Sequence, residues 1–272
     1  MKTDIADAAA EPDGAPAYSV PPVHRAFRLL RHIAQGGQCR NASATARELG
    51  LNRTTLIRLL HTLEAEGMIE SQDDGASWQL GPGMIALAAD ALKSRSVIRV
   101  AQPVMARLAA DLRLSSHLGV LDGREIIYLW REAPNSHLVS NIREGSRLPA
   151  HATTVGRVLL GHLPPAELEA RYGGADLPAF TEKTSTTLEA LAAQVAEDRR
   201  LGHAWSFANY EAGIGSCAAP VFDHRGACVA ALNVTGPAAQ FEPKTNMAAR
   251  IRDEVIAAAA EVSAALGHVA RG

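Results

Sequence analysis

Two short helical segments joined by a glycine-containing turn constrain the fold of this chain more than any other feature. Apolar residues recur at helical spacing from Ser43 until Gly50 ends the pattern, and a second, leucine-rich helix is predicted over residues 52–67. Such a pair is typical of the helix-turn-helix, whose second helix enters the major groove of DNA. The side chains predicted to lie opposite its leucine face and to contact DNA are Arg53, Thr54, Thr55, Arg58 and His61.

The flanking sequence completes a winged-helix pattern. A first helix is predicted after Pro21 and Pro22, where apolar residues repeat at helical spacing up to Gly36. After the second segment, residues 68–71 and 78–80 alternate like two strands around a turn at residues 73–75. Three helices followed by a hairpin is the order of a winged helix-turn-helix. The alternative is an ordinary helical hairpin in an all-helical core, on which the arginines and threonines are merely solvated.

Charge is distributed unevenly along the chain. The formal net charge is −2, but residues 21–60 carry seven arginines against one glutamate, which gives +6 there and leaves −8 elsewhere. This asymmetry favours a polyanionic partner, and arginine suits bidentate contacts with phosphates and guanine. A GC-rich genome that encodes arginine often is the alternative explanation of the residue choice. The seven are Arg25, Arg28, Arg31, Arg40, Arg47, Arg53 and Arg58.

The larger C-terminal part predicts an antiparallel α+β domain, because hairpins alternate with helices. Two hairpins are predicted around turns at residues 122–123 and 223–226, and a further strand at residues 138–142. The predicted helices are a connector from Gly83, a segment beyond Pro103, residues 153–163, a segment with a capping box at Thr186 and Glu189, and residues 243–266.

Composition and motif spacing argue against several other classes of protein. No apolar run approaches the roughly 18 residues of a membrane span and no signal peptide is recognisable, so a cytoplasmic protein without membrane contact is expected. The three cysteines and ten histidines lack the spacing of a zinc site, and neither a metal nor a cofactor is expected. Residues 213–218 match the dinucleotide pattern GxGxxA, but Pro220 and a β-rich run follow where a helix is required.

Four fragments, taken in order, resemble the landmarks of one family. They are LGLNRTTLIRLLHTLEAEGMI in the predicted helix-turn-helix, WQLGPGMIAL at the connector, LPAHATTVGRVLLGHLP at residues 148–164 and GIGSCAAPVFD at residues 213–223. Over about residues 20–266 the chain resembles the IclR-type bacterial transcriptional regulators. The resemblance implies a winged helix-turn-helix, a linker helix and a GAF-like antiparallel-sheet effector domain. It also implies a homodimer or dimer of dimers on a palindromic double-stranded DNA operator.

The expected organisation is therefore an α+β chain in four parts. These are a disordered tail over residues 1–18, a DNA-binding domain over 19–82, a linker helix over 83–98 and an effector-binding domain over 99–272. The apolar stripe of the connector, over residues 84–92, is predicted to pair two chains. Two positions depart from the family pattern: Asn209 replaces a glutamate, which removes a charge near the expected pocket, and Cys217 replaces an aliphatic residue.

The resemblance places a ligand pocket between the helix that starts near Thr154 and the sheet of the C-terminal hairpin. Hydroxyl and amide groups in an apolar lining suit a small organic acid or aromatic carboxylate. An anionic effector is expected, with its charge at the helix start after His151, where backbone amides are free. The alternative is that some of these side chains only satisfy hydrogen bonds at sheet edges. The expected effector-binding residues are Ser140, Thr154, Val155, Ser206, Ile214, Ser216, Asn233 and Thr235.

A ligand-responsive DNA-binding regulator is the function that these patterns favour, and two alternatives stay open. The first is an enzyme acting on a small metabolite, with an N-terminal module used only for dimerisation. Ser216 or Cys217 with His151 would be a chemically competent pair, but nothing in their spacing supports it, and no catalytic residue is predicted. The second alternative is a constitutive DNA-binding protein with an empty sensor domain.

Overall fold

The computed structural model describes residues 20–37, 39–72, 77–94, 96–134 and 142–269. The chain divides into two units, with the boundary between Ala91 and Leu92. Three predictions fall on segments outside the described residues: the tail at residues 1–18, the turn at residues 73–75, and all but the last residue of the strand at residues 138–142.

The N-terminal unit contains three helices and a two-stranded antiparallel sheet. Its elements are α1 (Pro21–Ala34), α2 (Ala42–Glu48), α3 (Arg53–Ala65), β1 (Ile69–Gln72) and β2 (Ser77–Leu80). Asn41 caps α2 and Asn52 caps α3, because each side chain accepts hydrogen bonds from backbone N–H groups of the first turn. Leu29, Leu56 and Ile69 are fully buried and join the helices and the sheet in one core. The predicted winged-helix order is confirmed.

The C-terminal unit is a six-stranded antiparallel sheet with helices on both faces, preceded by α4 (Pro82–Ser94), which crosses the boundary in sequence. The helices are α5 (Ser96–Leu112), α6 (Thr154–Gly161), α7 (Pro165–Tyr172), α8 (Leu188–Leu201) and α9 (Asn246–Ala265), with a 3-10 helix at Ala238–Phe241. The strands are β3 (Ser115–Asp122), β4 (Glu125–Glu132), β5 (Arg147–Pro149), β6 (Ala204–Phe207), β7 (Ile214–Phe222) and β8 (Cys228–Pro237). Across the described residues, no helix combines the length and apolarity needed to cross a membrane.

The strand order β5-β4-β3-β8-β7-β6 sets the two predicted hairpins side by side. One face of the sheet packs against α5 and α9 in a core that includes Leu118, Val221 and Ile251. The other face packs against α6 and α8, with Ile126 and Val155 in that core. Because successive residues of a strand point to opposite faces, the central strands β3 and β8 contribute to both sides. The α+β class and the antiparallel sheet are confirmed.

The helix predicted beyond Pro103 begins earlier, at Ser96, so the proline lies inside α5. A proline within a helix removes one N–H donor and usually kinks or ends the helix. Here the apolar residues on both sides of it, such as Ile98 and Met105, are buried in the same core. Burial along the whole helix outweighs the lost hydrogen bond, which local sequence signals do not reveal.

Two other local predictions need correction. The capping box at Thr186 and Glu189 is wrong, because α8 is capped by Thr187, whose side chain accepts a hydrogen bond from the first turn. The helix predicted over residues 153–163 ends earlier, at Gly161, and α7 follows with Pro165 in its first turn, where the fixed φ of proline suits a helix. The short elements α7, β5 and β6 were not predicted, because they contain too few residues to show a periodic pattern.

Candidate functional site

The helix α3 presents one buried and one exposed face. Its leucines Leu56, Leu60 and Leu63 are buried. Asn52 fixes the start of the helix, since its Oδ1 accepts a hydrogen bond from the backbone N–H of Thr55 at 2.7 Å. Thr55 itself is half-buried, and the other four predicted DNA-contacting residues are exposed: Arg53, Thr54, Arg58 and His61.

The arginines of the N-terminal unit are available to an anionic partner. None of the seven between residues 21 and 60 forms an ion pair with a described residue. Arg28 has a structural contact, since it donates a hydrogen bond to the Leu49 carbonyl at 2.6 Å and so holds α1 onto the end of α2. There the chain turns at Gly50, whose φ of +59° favours glycine. The other exposed arginines are Arg31, Arg40, Arg47, Arg53 and Arg58.

A cavity of about 470 Å³ lies in the C-terminal unit between the start of α6 and the sheet. Val155 does not line it, because its side chain is fully buried in the core between α6 and the sheet. Ser140 lies outside the described residues. The structure brings the remaining six predicted residues together in the lining: Thr154, Ser206, Ile214, Ser216, Asn233 and Thr235.

The cavity also has an apolar and aromatic wall that the sequence analysis missed. It includes Tyr128, Leu148 and Tyr210, and the ring of Tyr210 lies 4.9 Å from that of Phe180 between centroids. Burial raises the pKa of the hydroxyls of Tyr128 and Tyr210, so both are uncharged hydrogen-bonding groups at neutral pH. In sequence, an apolar residue that lines a cavity looks like one that fills a core, so no signal marked these positions.

A buried hydrogen-bonded network forms the floor of the cavity. Thr154 Oγ1 and Ser216 Oγ lie 2.7 Å apart, and Asn233 Nδ2 donates to Ser216 Oγ at 3.0 Å. Behind Asn233, its Oδ1 lies 3.2 Å from Nδ1 of His117, a fully buried residue that the sequence analysis missed. Burial is the main reason that the pKa of His117 is lowered to about 4, so its ring is neutral at physiological pH.

The start of α6 faces the same cavity. Thr153 caps the helix, since its hydroxyl accepts a hydrogen bond from the backbone N–H of Gly156 at 3.2 Å. The backbone N–H groups of Thr154 and Val155 have no hydrogen-bond partner within the described part of the chain. The N–H group of Thr154, which lines the cavity, is therefore available to a ligand, and no basic side chain occurs among the described lining residues.

Asn209 stabilises a loop and does not line the cavity. Its Oδ1 accepts hydrogen bonds from Ser206 Oγ and from the backbone N–H of Phe207, both at 3.2 Å, and its Nδ2 donates to the Lys183 carbonyl at 3.2 Å. The carboxylate that does line the cavity belongs to Glu211. Asn209 therefore supports the loop after β6, and Glu211 is the acidic residue among the described lining residues.

The residues considered for catalysis do not form a nucleophile and base pair. Cys217 is buried in the core on the opposite face of the sheet, which raises the pKa of its thiol. His151 lies near the cavity, but its Nε2 is 3.1 Å from the Pro178 carbonyl. The Ser216 hydroxyl is engaged in the floor network. Nor do three or more metal-ligating side chains cluster anywhere in the described ranges.

Family models of known proteins match both units of the chain. Residues 22–73 match the IclR helix-turn-helix domain, and residues 89–264 match the model of the bacterial transcriptional regulator IclR C-terminal domain. The chain is 29% identical to the HTH-type transcriptional regulator XynR of Escherichia coli (strain K12) over 248 residues, which are 91% of this chain and 98% of that protein.

Solved structures agree with the sequence relatives. A transcriptional regulator from Rhodococcus sp. RHA1 superposes with a TM-score of 0.78 at 32% identity, over 91% of this chain and 98% of that one. An IclR homologue from Microbacterium hydrocarbonoxydans complexed with 4-hydroxybenzoate superposes with a TM-score of 0.76 at 26% identity, over 90% of this chain and 98% of that one. The relatives and both domains are those of DNA-binding transcriptional regulators and not of enzymes. The chain belongs to the IclR family of bacterial transcriptional regulators.

Proposed function

We propose that this regulator senses a small organic acid, with an aromatic carboxylate as the best-supported class, in the cavity of its C-terminal unit. The observation that carries the proposal is the combination of a hydroxyl and amide floor with an aromatic wall around about 470 Å³. Ligand cavities commonly measure roughly 300–1,000 Å³ and have this mixture of apolar walls and a few polar groups. The related protein that was crystallised with 4-hydroxybenzoate supports the same class.

The carboxylate of the effector is assigned to the start of α6. The unpartnered N–H group of Thr154, which lines the cavity, and the positive end of the helix dipole favour an anion there. Glu211, which also lines the cavity, disfavours an anion beside it. The ring of the effector would then lie against Tyr128 and Tyr210.

On the DNA side, we assign the exposed face of α3 to the major groove of a palindromic operator. Its N-terminal residues Arg53 and Thr54 would reach base edges or phosphates, and Arg58 lies one turn further on the same face. A palindromic site requires two copies of the chain related by a two-fold axis. The exposed apolar residues of α4 supply a surface for that pairing.

Calorimetry with a panel of small acids, starting with 4-hydroxybenzoate, tests the effector assignment. In the Thr154→Asp variant a fixed negative charge occupies the site assigned to the carboxylate, so binding should weaken at least tenfold while operator affinity stays unchanged. The matched control is Thr154→Ser, which keeps the hydroxyl and should bind within a few-fold of wild type. Equal affinity of the Asp variant and the wild type would place the carboxylate elsewhere and remove this assignment.

A further inference from the structure

The hydrogen bonds of the cavity floor run in one direction from donor to acceptor. His117, which lies behind Asn233, sets that direction. Asn233 is the branch point, because its amide has one end that only accepts and one that only donates hydrogen bonds. The accepting end, Oδ1, faces His117 Nδ1 at 3.2 Å, and the donating end, Nδ2, faces Ser216 Oγ at 3.0 Å. His117 Nδ1 must therefore carry the proton, and its Nε2 carries a lone pair.

The count of protons then leaves one hydroxyl donor for a ligand. Ser216 Oγ accepts from Asn233, and one O–H is used between Ser216 Oγ and Thr154 Oγ1, which lie 2.7 Å apart. Two hydroxyls have two protons, so whichever of them donates across this pair, the other keeps an unused O–H. Both residues line the cavity, so the floor offers a donor to the ligand.

If the hydrogen bonds of the network ran in the opposite direction, the floor would offer a ligand only lone pairs. If His117 carried its proton on Nε2, Asn233 would turn its Nδ2 toward Nδ1 and its Oδ1 toward Ser216. Ser216 would then donate to Asn233 and accept from Thr154, and no hydroxyl proton would remain. The position of one proton on a buried ring thus decides whether the floor donates or accepts.

Arg131 favours the first arrangement. It is paired with His117 in the register of β3 and β4, and its positive charge contributes to lowering the pKa of His117. The guanidinium atoms Nε and Nη2 are buried without a hydrogen-bond partner in the described part of the chain, and so is His117 Nε2. A neighbouring cation favours a lone pair on Nε2 over an N–H group. A buried acceptor without a partner is also tolerated more often than a buried donor.

We propose that His117 is a positioning residue for ligand specificity: held with its proton on Nδ1, it orients the Asn233 amide so that the cavity floor donates a hydroxyl proton and selects ligands that present an acceptor oxygen. This inference rests on the proposed function of the cavity. Carboxylates present acceptors only, whereas the isosteric carboxamides also present N–H groups. The floor should therefore favour an acid over its amide by hydrogen-bond direction, in addition to charge.

The proton position can be measured without any ligand. In the full-length protein labelled with ¹⁵N-histidine, two-bond ¹H–¹⁵N correlation spectra at pH 7 distinguish the two neutral tautomers, and loss of one spin system in His117→Asn assigns the signals. Protonated Nδ1 and unprotonated Nε2 at His117 are expected. A proton on Nε2, or a ring that samples both tautomers, would overturn the proposal whether or not an effector is known.

Binding of 4-hydroxybenzoate and 4-hydroxybenzamide measures the consequence. In His117→Leu the amide of Asn233 is free to reverse, so the ratio of acid to amide affinity should fall roughly tenfold, the effect of about one hydrogen bond. His117→Asn, whose amide can donate near the former Nδ1, should restore the ratio to within about threefold of wild type. An unchanged ratio in a folded His117→Leu protein would contradict the proposal. Failure of both probes to bind wild type would instead count against the aromatic acid assignment, and the tautomer would still decide this inference.

Discussion

At the scale of single residues, His117 should make the stability of the protein depend on pH. Its pKa is lowered to about 4, first by burial and further by Arg131, from an ordinary value of 6.5, while the hydrogen bond with Asn233 acts in the opposite direction. The unfolded chain therefore binds more protons than the native state between these two values, and the free energy of unfolding falls as the pH decreases from about 6.5 toward 4. The full shift corresponds to about 3 kcal/mol.

Urea unfolding between pH 7 and pH 4.5 checks this expectation. In His117→Asn the loss of stability through that range should be smaller than in wild type, because the titrating group is absent. His224→Asn is the control, since this histidine is exposed in the same unit. Parallel pH profiles for wild type and His117→Asn would show that another group causes the acid sensitivity.

The residues of the cavity differ in how well the sequence could reveal them. Ser216, Asn233 and Thr235 occupy alternating positions on paired strands, and polar side chains in otherwise apolar strands attract attention. Tyr128 also lines the cavity, yet an aromatic residue in a strand is ordinary core composition. His117 could not have been identified, because its role depends on pairing with Asn233, which is 116 positions away in sequence.

At the scale of elements, α3 should read the operator through Arg58. It lies four residues after the exposed Thr54, so both belong to one face of the helix. Arg58→Ala should cost about 1 to 3 kcal/mol on the operator and relax the base preference at one position. Fluorescence anisotropy with operator and random duplexes measures both effects. Arg31→Ala, which removes an exposed arginine of α1, controls for the loss of one positive charge. An equal, small loss on both duplexes would identify a phosphate contact instead.

Elements with long periodic patterns and clear ends were predictable. Asn52 caps α3 and the left-handed Gly202 ends α8, and both signals are local. The start of α5 at Ser96 was not predictable, since only the burial of residues such as Ile98 shows that the helix continues through Pro103. Local chemistry therefore defined most helix ends, and packing defined the rest.

For the whole molecule, the order of the strands in the sheet is the feature that the sequence could not predict. The hairpins β3–β4 and β7–β8 have local turns, and both were predicted. Their union through β3 and β8 pairs residues such as Ser115 and Thr235, which no local signal connects. That union creates the cavity floor, because it brings His117 against Asn233. The family resemblance could indicate that a pocket exists. The hydrogen bonds of that pocket could be described only once the fold was known.

The sequence also predicts that two chains assemble, and α4 is the helix expected to mediate their pairing. Met84 packs into the core of the N-terminal unit, while Ile85 and Leu87 are 72% and 58% exposed. Exposed apolar side chains on a helix favour a partner surface, and a two-fold axis would pair the helix with its copy in a second chain. The double variant Ile85→Gln/Leu87→Gln keeps helix propensity while removing these two exposed apolar side chains.

Light scattering at micromolar concentration should show the wild type as a dimer or larger, and the double variant should shift toward monomer and bind the operator more weakly. Val229→Gln is the control, because Val229 is a partly exposed apolar residue of the C-terminal unit, 36% exposed, and its replacement should leave the mass unchanged. Since the substituted side chains are exposed, thermal unfolding of the N-terminal unit should change little, which separates lost pairing from lost folding. A wild-type protein that is monomeric both alone and on operator DNA would refute the role of α4, as would a double variant that stays dimeric at the same concentration.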